Sequence, residues 1–152
     1  MEKNLKKDFS EILEYAHMWN WAPDLFIVEK IYDEVPNSFS VLTPFLYVYL
    51  EELVRSMTKN QYGVRLDDEN SKKAKRELGI NLVKLAIENA NDEEQRELLV
   101  KVKKYFKGSS IYDSGDNRNS TLHGYMHPRF WTKESFEKLV HEIASLSKYS
   151  GF

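Results

Sequence analysis

The stretch Asn117-Arg118-Asn119-Ser120-Thr121-Leu122-His123-Gly124 sets a permanent cation, polar side chains and an imidazole within one short segment. An arginine grips phosphate through a planar fork of donors. A histidine is the side chain best suited to move protons near neutral pH. Together they can cut a ribose-phosphate linkage without a metal. The 2′-hydroxyl attacks the adjacent phosphorus, a base takes its proton, and an acid protonates the leaving 5′-oxygen. His123 fits one of those two jobs, and a two-fold dimer supplies a second His123 for the other. Arg118 then holds the phosphate and offsets charge developing on its oxygens. Asn119 has an acceptor and a donor with which to orient the imidazole or the phosphate. This chemistry requires RNA and leaves a 2′,3′-cyclic phosphate.

Spacing raises a difficulty. At about 100° per residue, positions 118 and 123 lie roughly 140° apart around an ideal helix, so they do not share one face. Either Arg118 occupies a frayed first turn and folds back, or packing against a partner chain completes the group.

The elements that must position these residues read as helices. Leu5, Phe9, Ile12, Leu13 and Ala16 form one apolar stripe, and Leu25, Val28, Ile31, Tyr32 and Val35 a second, between Pro23 and Pro36. Thr43-Pro44 predicts the start of a third helix, with the stripe Leu46, Leu50, Leu53, Val54 and Met57, ending before Gly63. After a turn at 67–70, a fourth helix carries Leu78, Leu82, Leu85 and Ala86, with Gly79 inside it. Asn91 and Glu94 resemble a capping box for a fifth, whose stripe is Leu98, Val102, Tyr105 and Phe106 and whose stop is Gly108. A loop over 108–116 precedes a short helix at 117–126, and a last helix starts at Thr132 with Phe136, Leu139, Val140, Ile143 and Leu146. No β alternation stands out. The expected architecture is a single all-α domain spanning 1–152, an up-and-down bundle with additional short helices.

The phrase Asn117-Arg118-Asn119-x-x-Leu122-His123-Gly124, followed by Thr132-Lys133-Glu134 and an amphipathic helix, resembles the HEPN superfamily. Its ribonuclease members carry an Arg, four to six residues, and then a His, with a polar residue directly after the Arg. Here the spacer is four and the polar residue is Asn119. The likeness is tightest over 116–146; elsewhere the chain agrees only in being helical. The resemblance implies a four-helix core that forms a homodimer, with the Arg–His segments of two protomers face to face. It also implies metal-independent RNA cleavage, often by toxins or antiviral defence proteins, with a cognate antitoxin or defence-system partner. The residues lean toward an enzyme with Arg118, His123 and Asn119 as catalytic group and RNA as substrate. The alternative is a non-catalytic HEPN-like module that binds RNA, a nucleotide or a protein partner.

Other residues compete for roles. Asn117, Tyr112 and Tyr125 are candidate substrate contacts, the tyrosines by stacking on bases. Trp19, Trp21 and Trp131 fit helix junctions better than base stacking. His123 and His127 are four apart and able to share a helix face, with Asp116 or Glu142 as a further ligand, but no Glu stands where a zinc-protease base belongs. No metal or cofactor is assigned. Without a metal site, His127 reads as a helix-end residue. Arg118 without catalysis reads as the partner of Asp113 or Asp116. Glu51, Glu52 and Arg55 read first as a solvated pair, and second as a buried acid orienting Arg118 or His123. Lys72, Lys73, Lys75 and Arg76, and Lys101, Lys103, Lys104 and Lys107, are basic clusters diluted by acidic neighbours; each reads first as a solvated helix face and second as an RNA guide.

Bulk properties bound the rest. The 152 residues carry a net charge of −2, so any RNA contact is local rather than spread over a basic surface. Nine Tyr, eight Phe and three Trp argue against disorder. The absence of cysteine excludes disulfides, thiolate zinc sites and a thiol nucleophile, and suits a reducing compartment. Residues 1–8 carry no apolar run of the signal-peptide kind, and no stretch approaches a membrane span. The expectation is a cytoplasmic protein with no membrane partner.

Overall fold

A computed structural model describes residues 2–58, 61–62 and 76–152. Among them the chain is all-helical, without strands: α1 (Lys3–Tyr15), α2 (Ala22–Glu34), α3 (Phe39–Ser56), α4 (Gly79–Glu88), α5 (Glu93–Val102), α6 (Arg118–Leu122) and α7 (Lys133–Ser147). Short 3-10 turns cover Lys103–Phe106 and Pro128–Phe130. The apolar stripes explain the packing. Leu5, Phe9 and Ile12 of α1 meet Phe136, Leu139, Val140 and Ile143 of α7 in one buried cluster that α2, α3, α4 and α5 also enter. Each side chain fully buried there contributes about 1.5–3 kcal/mol. α7 packs against α1, α3 and α5, while α3 also carries α4 and α6. The candidate site is therefore mounted on α3. No helix of the described residues is long and apolar enough to cross a membrane.

Several helix boundaries differ from the sequence expectation, each for a local reason. α3 begins at Phe39, not at Thr43-Pro44, because Asn37 turns the chain at φ +61° and frees it to start winding. Thr43 is then an interior residue whose hydroxyl donates to the Phe39 carbonyl at 2.7 Å. Pro44 sits inside the helix, where its ring removes one early backbone bond. Gly79 opens α4 rather than interrupting it, and its φ of +54° is a conformation glycine adopts at no steric cost. The box that caps α5 is shifted by one residue: the Asp92 carboxylate accepts from the Gln95 N–H, and the Gln95 side chain accepts from the Asn91 N–H. The turn expected at 67–70, Gly63, and Lys72, Lys73 and Lys75 lie outside the described residues.

Tyr47, Tyr49 and Tyr105 are buried in this core. Burial pushes all three hydroxyls well above the ordinary tyrosine value, and nearby Asp116, Glu142 and Asp113 reinforce it at Tyr47. A raised folded value means the native state favours the protonated phenol. Their contribution is thus intact below the unfolded value of about 10 and is lost as pH climbs through the folded values. In an alkaline titration the phenolate absorbance of these three tyrosines is expected to appear only together with loss of helical circular dichroism. Their ionisation in a still-folded protein contradicts this.

Candidate functional site

α6 is short because its sequence supplies both ends. Asn117 caps it: the side-chain oxygen accepts from the Asn119 and Ser120 N–H groups at 2.9 and 3.1 Å. Its amide nitrogen donates to the carbonyls of Lys107 and Gly108 at 3.2 and 3.1 Å. At the other end His123 is the C-cap, and Gly124 at φ +65° turns the chain away. The helix stops well short of residue 126. The 108–116 loop before it is fastened from several sides. The Tyr47 hydroxyl donates to the Gly115 carbonyl at 2.8 Å, the Thr132 N–H donates to the Ser114 carbonyl at 3.0 Å, and the Ser120 hydroxyl donates to Asp113. Gly115 lies against Trp131, where an added Cβ would come within 2.9 Å of the Trp131 Cβ.

Asn117 is buried and its side chain is committed to this framework, which makes it a positioning residue in this arrangement. The helix-end N–H groups of Asn119 and Ser120 are likewise taken by the cap. Asn117→Ala is expected to cost about 2 kcal/mol, the sum of a lost cap and of unmet carbonyls, read as a lower denaturant midpoint. A change no larger than that of an exposed substitution contradicts this.

Arg118 opens α6 and turns inward. Its Nη2 donates to Glu51 Oε2 at 2.6 Å, and its Nη1 donates to Asn119 Oδ1 at 3.1 Å. The Asn119 amide nitrogen in turn donates to the Lys107 carbonyl at 3.0 Å. Asn119 thus orients the guanidinium rather than the imidazole. The arginine's Nε is buried and meets no partner among the described residues. Its side chain keeps 20% exposure, so one edge still reaches solvent. Arg118 does not pair with Asp113 or Asp116; those carboxylates accept from the Ser110 and Ser114 N–H groups at 2.7 and 3.0 Å.

Glu51 is the residue that the first sequence reading misplaces. It is not half of a solvated pair but a buried carboxylate with several donors. Its Oε1 accepts from Arg55 Nη2 and from the Gly79 N–H, both at 3.4 Å, while Oε2 holds Arg118. Gly79 begins α4, so the positive end of that helix faces the carboxylate. Arg55 is 1% exposed and spans the group, donating to Glu52 at 3.1 Å and to the Glu77 carbonyl at 2.7 Å. Burial, and then the neighbouring Arg76, lower the Arg55 value from its ordinary one, but its three acceptors keep it matched. Arg76 itself pairs with Glu52 at 3.5 Å. The signal was present in the stripe: Tyr47, Glu51 and Arg55 follow one another at four-residue steps, so all three fall within the arc that α3 buries.

His123 stands at the far end of α6, about 7.5 Å along the axis from Arg118. It is exposed, its backbone N–H donates to the Asn119 carbonyl at 3.0 Å, and no described residue bonds its imidazole. No hydrogen bond joins it to Arg118. Tyr125 and Tyr112 are both exposed, at 58% and 87%. His127 is not on the same helix as His123. It caps the Pro128–Phe130 turn, where its Nδ1 accepts from the Arg129 N–H at 3.2 Å. Glu142 accepts from Lys104 at 2.6 Å, and among the described residues no three His, Asp or Glu side chains gather as a ligand set. Trp21 packs edge-on to Phe45 at a helix junction and Trp131 is buried, whereas Trp19 projects from the surface at 81% exposure. Of the second basic cluster, Lys104 pairs with Glu142, while Lys101, Lys103 and Lys107 meet no acid among the described residues. Compared with known proteins, the chain matches no family model, no curated protein and no solved structure.

Proposed function

We propose that this chain is a metal-independent endoribonuclease of the HEPN type that works as a symmetric dimer. One observation carries the reading: Arg118 is fixed at the head of α6 by Glu51 and Asn119, while His123 is left exposed and unbonded at its tail. A guanidinium held by two acceptors is already oriented when a phosphate arrives, so little is spent on ordering it. An imidazole with neither nitrogen engaged by the protein is available for proton transfer. The pair does not meet within one chain, and a two-fold partner supplies what is missing. The second His123 completes acid and base, and the second Arg118 shares the phosphate charge. Exposed Tyr125 and Phe130, just beyond His123, offer apolar surface to that partner or to a base. The role as toxin or antiviral defence protein, with an antitoxin or defence-system partner, comes with the family resemblance.

The test uses single-stranded RNA and the same oligonucleotide made as DNA, with and without chelator. The expected products are RNA fragments ending in a 2′,3′-cyclic phosphate, unaffected by chelator, with the DNA intact. Cleavage of DNA, or RNA fragments bearing a 5′-phosphate and a 3′-hydroxyl, rejects the mechanism. One observation favours a second reading as a non-catalytic binding module: the charge of Arg118 is already matched by Glu51. Tight RNA binding without turnover over long incubation selects that reading.

A further inference from the structure

A cavity of about 290 Å³ opens directly beside α6, between the Lys103–Phe106 turn, the 107–117 loop and the first turns of α7. Lys104, Lys107 and Lys138 line it, together with Tyr105, Asp113 and Asp116. The lining carries three cations against two carboxylates, and among the described residues only Lys104 of these is in an ion pair. Lys104 is bound by Glu142 at 2.6 Å, Asp113 accepts from the Ser110 N–H and the Ser120 hydroxyl, and Asp116 accepts from the Ser114 N–H through one oxygen. Lys107 and Lys138 are different: neither meets an acid among the described residues. At the inner wall Tyr105 is 1% exposed, and its buried hydroxyl meets no geometric hydrogen-bond partner among the described residues.

We propose that this cavity binds one nucleotide of an RNA strand, with its phosphate on Lys107 and Lys138. The inference rests on the ribonuclease reading and extends it to the nucleotide flanking the cut. Two unpaired ammonium groups at a concave wall favour an anion, and lysine takes phosphate as a point charge. The second oxygen of Asp116 accepts no hydrogen bond from the described residues, which suits a ribose hydroxyl or a base amino group. The volume is at the small end of ligand pockets, which begin near about 300 Å³, so it suits a single nucleotide rather than a large cofactor. Continuity with the site is direct. The Lys107 carbonyl accepts from Asn117 and Asn119, and Asn119 orients Arg118. The cavity therefore adjoins the Asn117 end of α6, the end that carries Arg118, with His123 at the other end.

The test measures binding of a labelled single-stranded RNA to the full chain bearing His123→Ala, so that cleavage does not intrude. Adding Lys107→Ala and Lys138→Ala is expected to weaken binding about tenfold and to flatten the dependence of log K on log salt by about 0.7 for each lysine. Lys30→Ala, on α2 and outside the cavity, is the control and is expected to change neither. With His123 restored, the double lysine variant is expected to raise KM while keeping kcat. Circular dichroism checks that the variants stay folded. An affinity and salt slope equal to those of the control overturn the cavity proposal and leave the ribonuclease reading standing. No RNA binding by the parent protein overturns both.

Discussion

His123→Ala is expected to lower RNA cleavage by at least about 10²–10⁴-fold, the range over which one positioned proton-transfer group acts, because the variant dimer loses both acid and base. The same variant is expected to unfold at the wild-type midpoint. The imidazole is exposed and bonds no described residue, so its removal leaves no orphaned group behind. That pairing of a large kinetic effect with no structural one is what separates a proton-transfer residue from a structural one. A mixing experiment sharpens it. If two protomers share one site that uses both imidazoles, an excess of His123→Ala chain mixed with wild type is expected to depress cleavage beyond simple dilution, because each heterodimer keeps a single His123 and lacks either the acid or the base. Unchanged cleavage by His123→Ala rejects the mechanism outright. Loss of wild-type activity on chelation alone points instead to a metal.

The legibility of this molecule in its sequence follows the range of each interaction. The ends of α6 and α7 are written locally. Asn117 and Thr132 accept from N–H groups two or three residues on, and such caps depend on almost nothing else in the chain. The stripe Phe136, Leu139, Val140, Ile143 and Leu146 is likewise local, and every member is buried. The start of α3 misleads because Thr43-Pro44 is a good cap that the preceding Asn37 turn makes unnecessary. His123 and His127 mislead because the four-residue rule holds only if the helix continues, and Gly124 ends it. Glu51 is harder still. Its role depends on Arg118, 67 positions away, and on the N–H of Gly79 at the head of another helix. A Glu–Arg pair four apart on a helix looks the same whether it faces water or the core. Only the neighbouring Tyr47, fully buried four residues earlier, tips the choice.

Glu51→Ala is the second substitution with a large expected effect, and here stability and activity should move together. The carboxylate is 10% exposed and anchors Arg118, Arg55 and the first N–H of α4. Removing one partner of a buried pair leaves the other charge uncompensated, at a cost of about 3–5 kcal/mol. Glu97→Ala, on the exposed face of α5, is the comparison and is expected to shift the denaturant midpoint little. Arg118→Ala should cost less than Glu51→Ala, because Glu51 then keeps Arg55 and Gly79. The double variant is expected to show a coupling of about 1–3 kcal/mol between the two positions. In kinetics a freed guanidinium is a misplaced one, and misplacement of about 1 Å costs on the order of 10²-fold in rate. Glu51→Gln, which keeps an acceptor for Arg118 but not the charge, should fall between wild type and alanine in both respects. If Glu51→Ala lowers the midpoint while kcat per folded molecule stays at the wild-type value, the carboxylate is a structural anchor only. Arg118 then needs no inner partner to act, and the rigid placement invoked for it loses its basis.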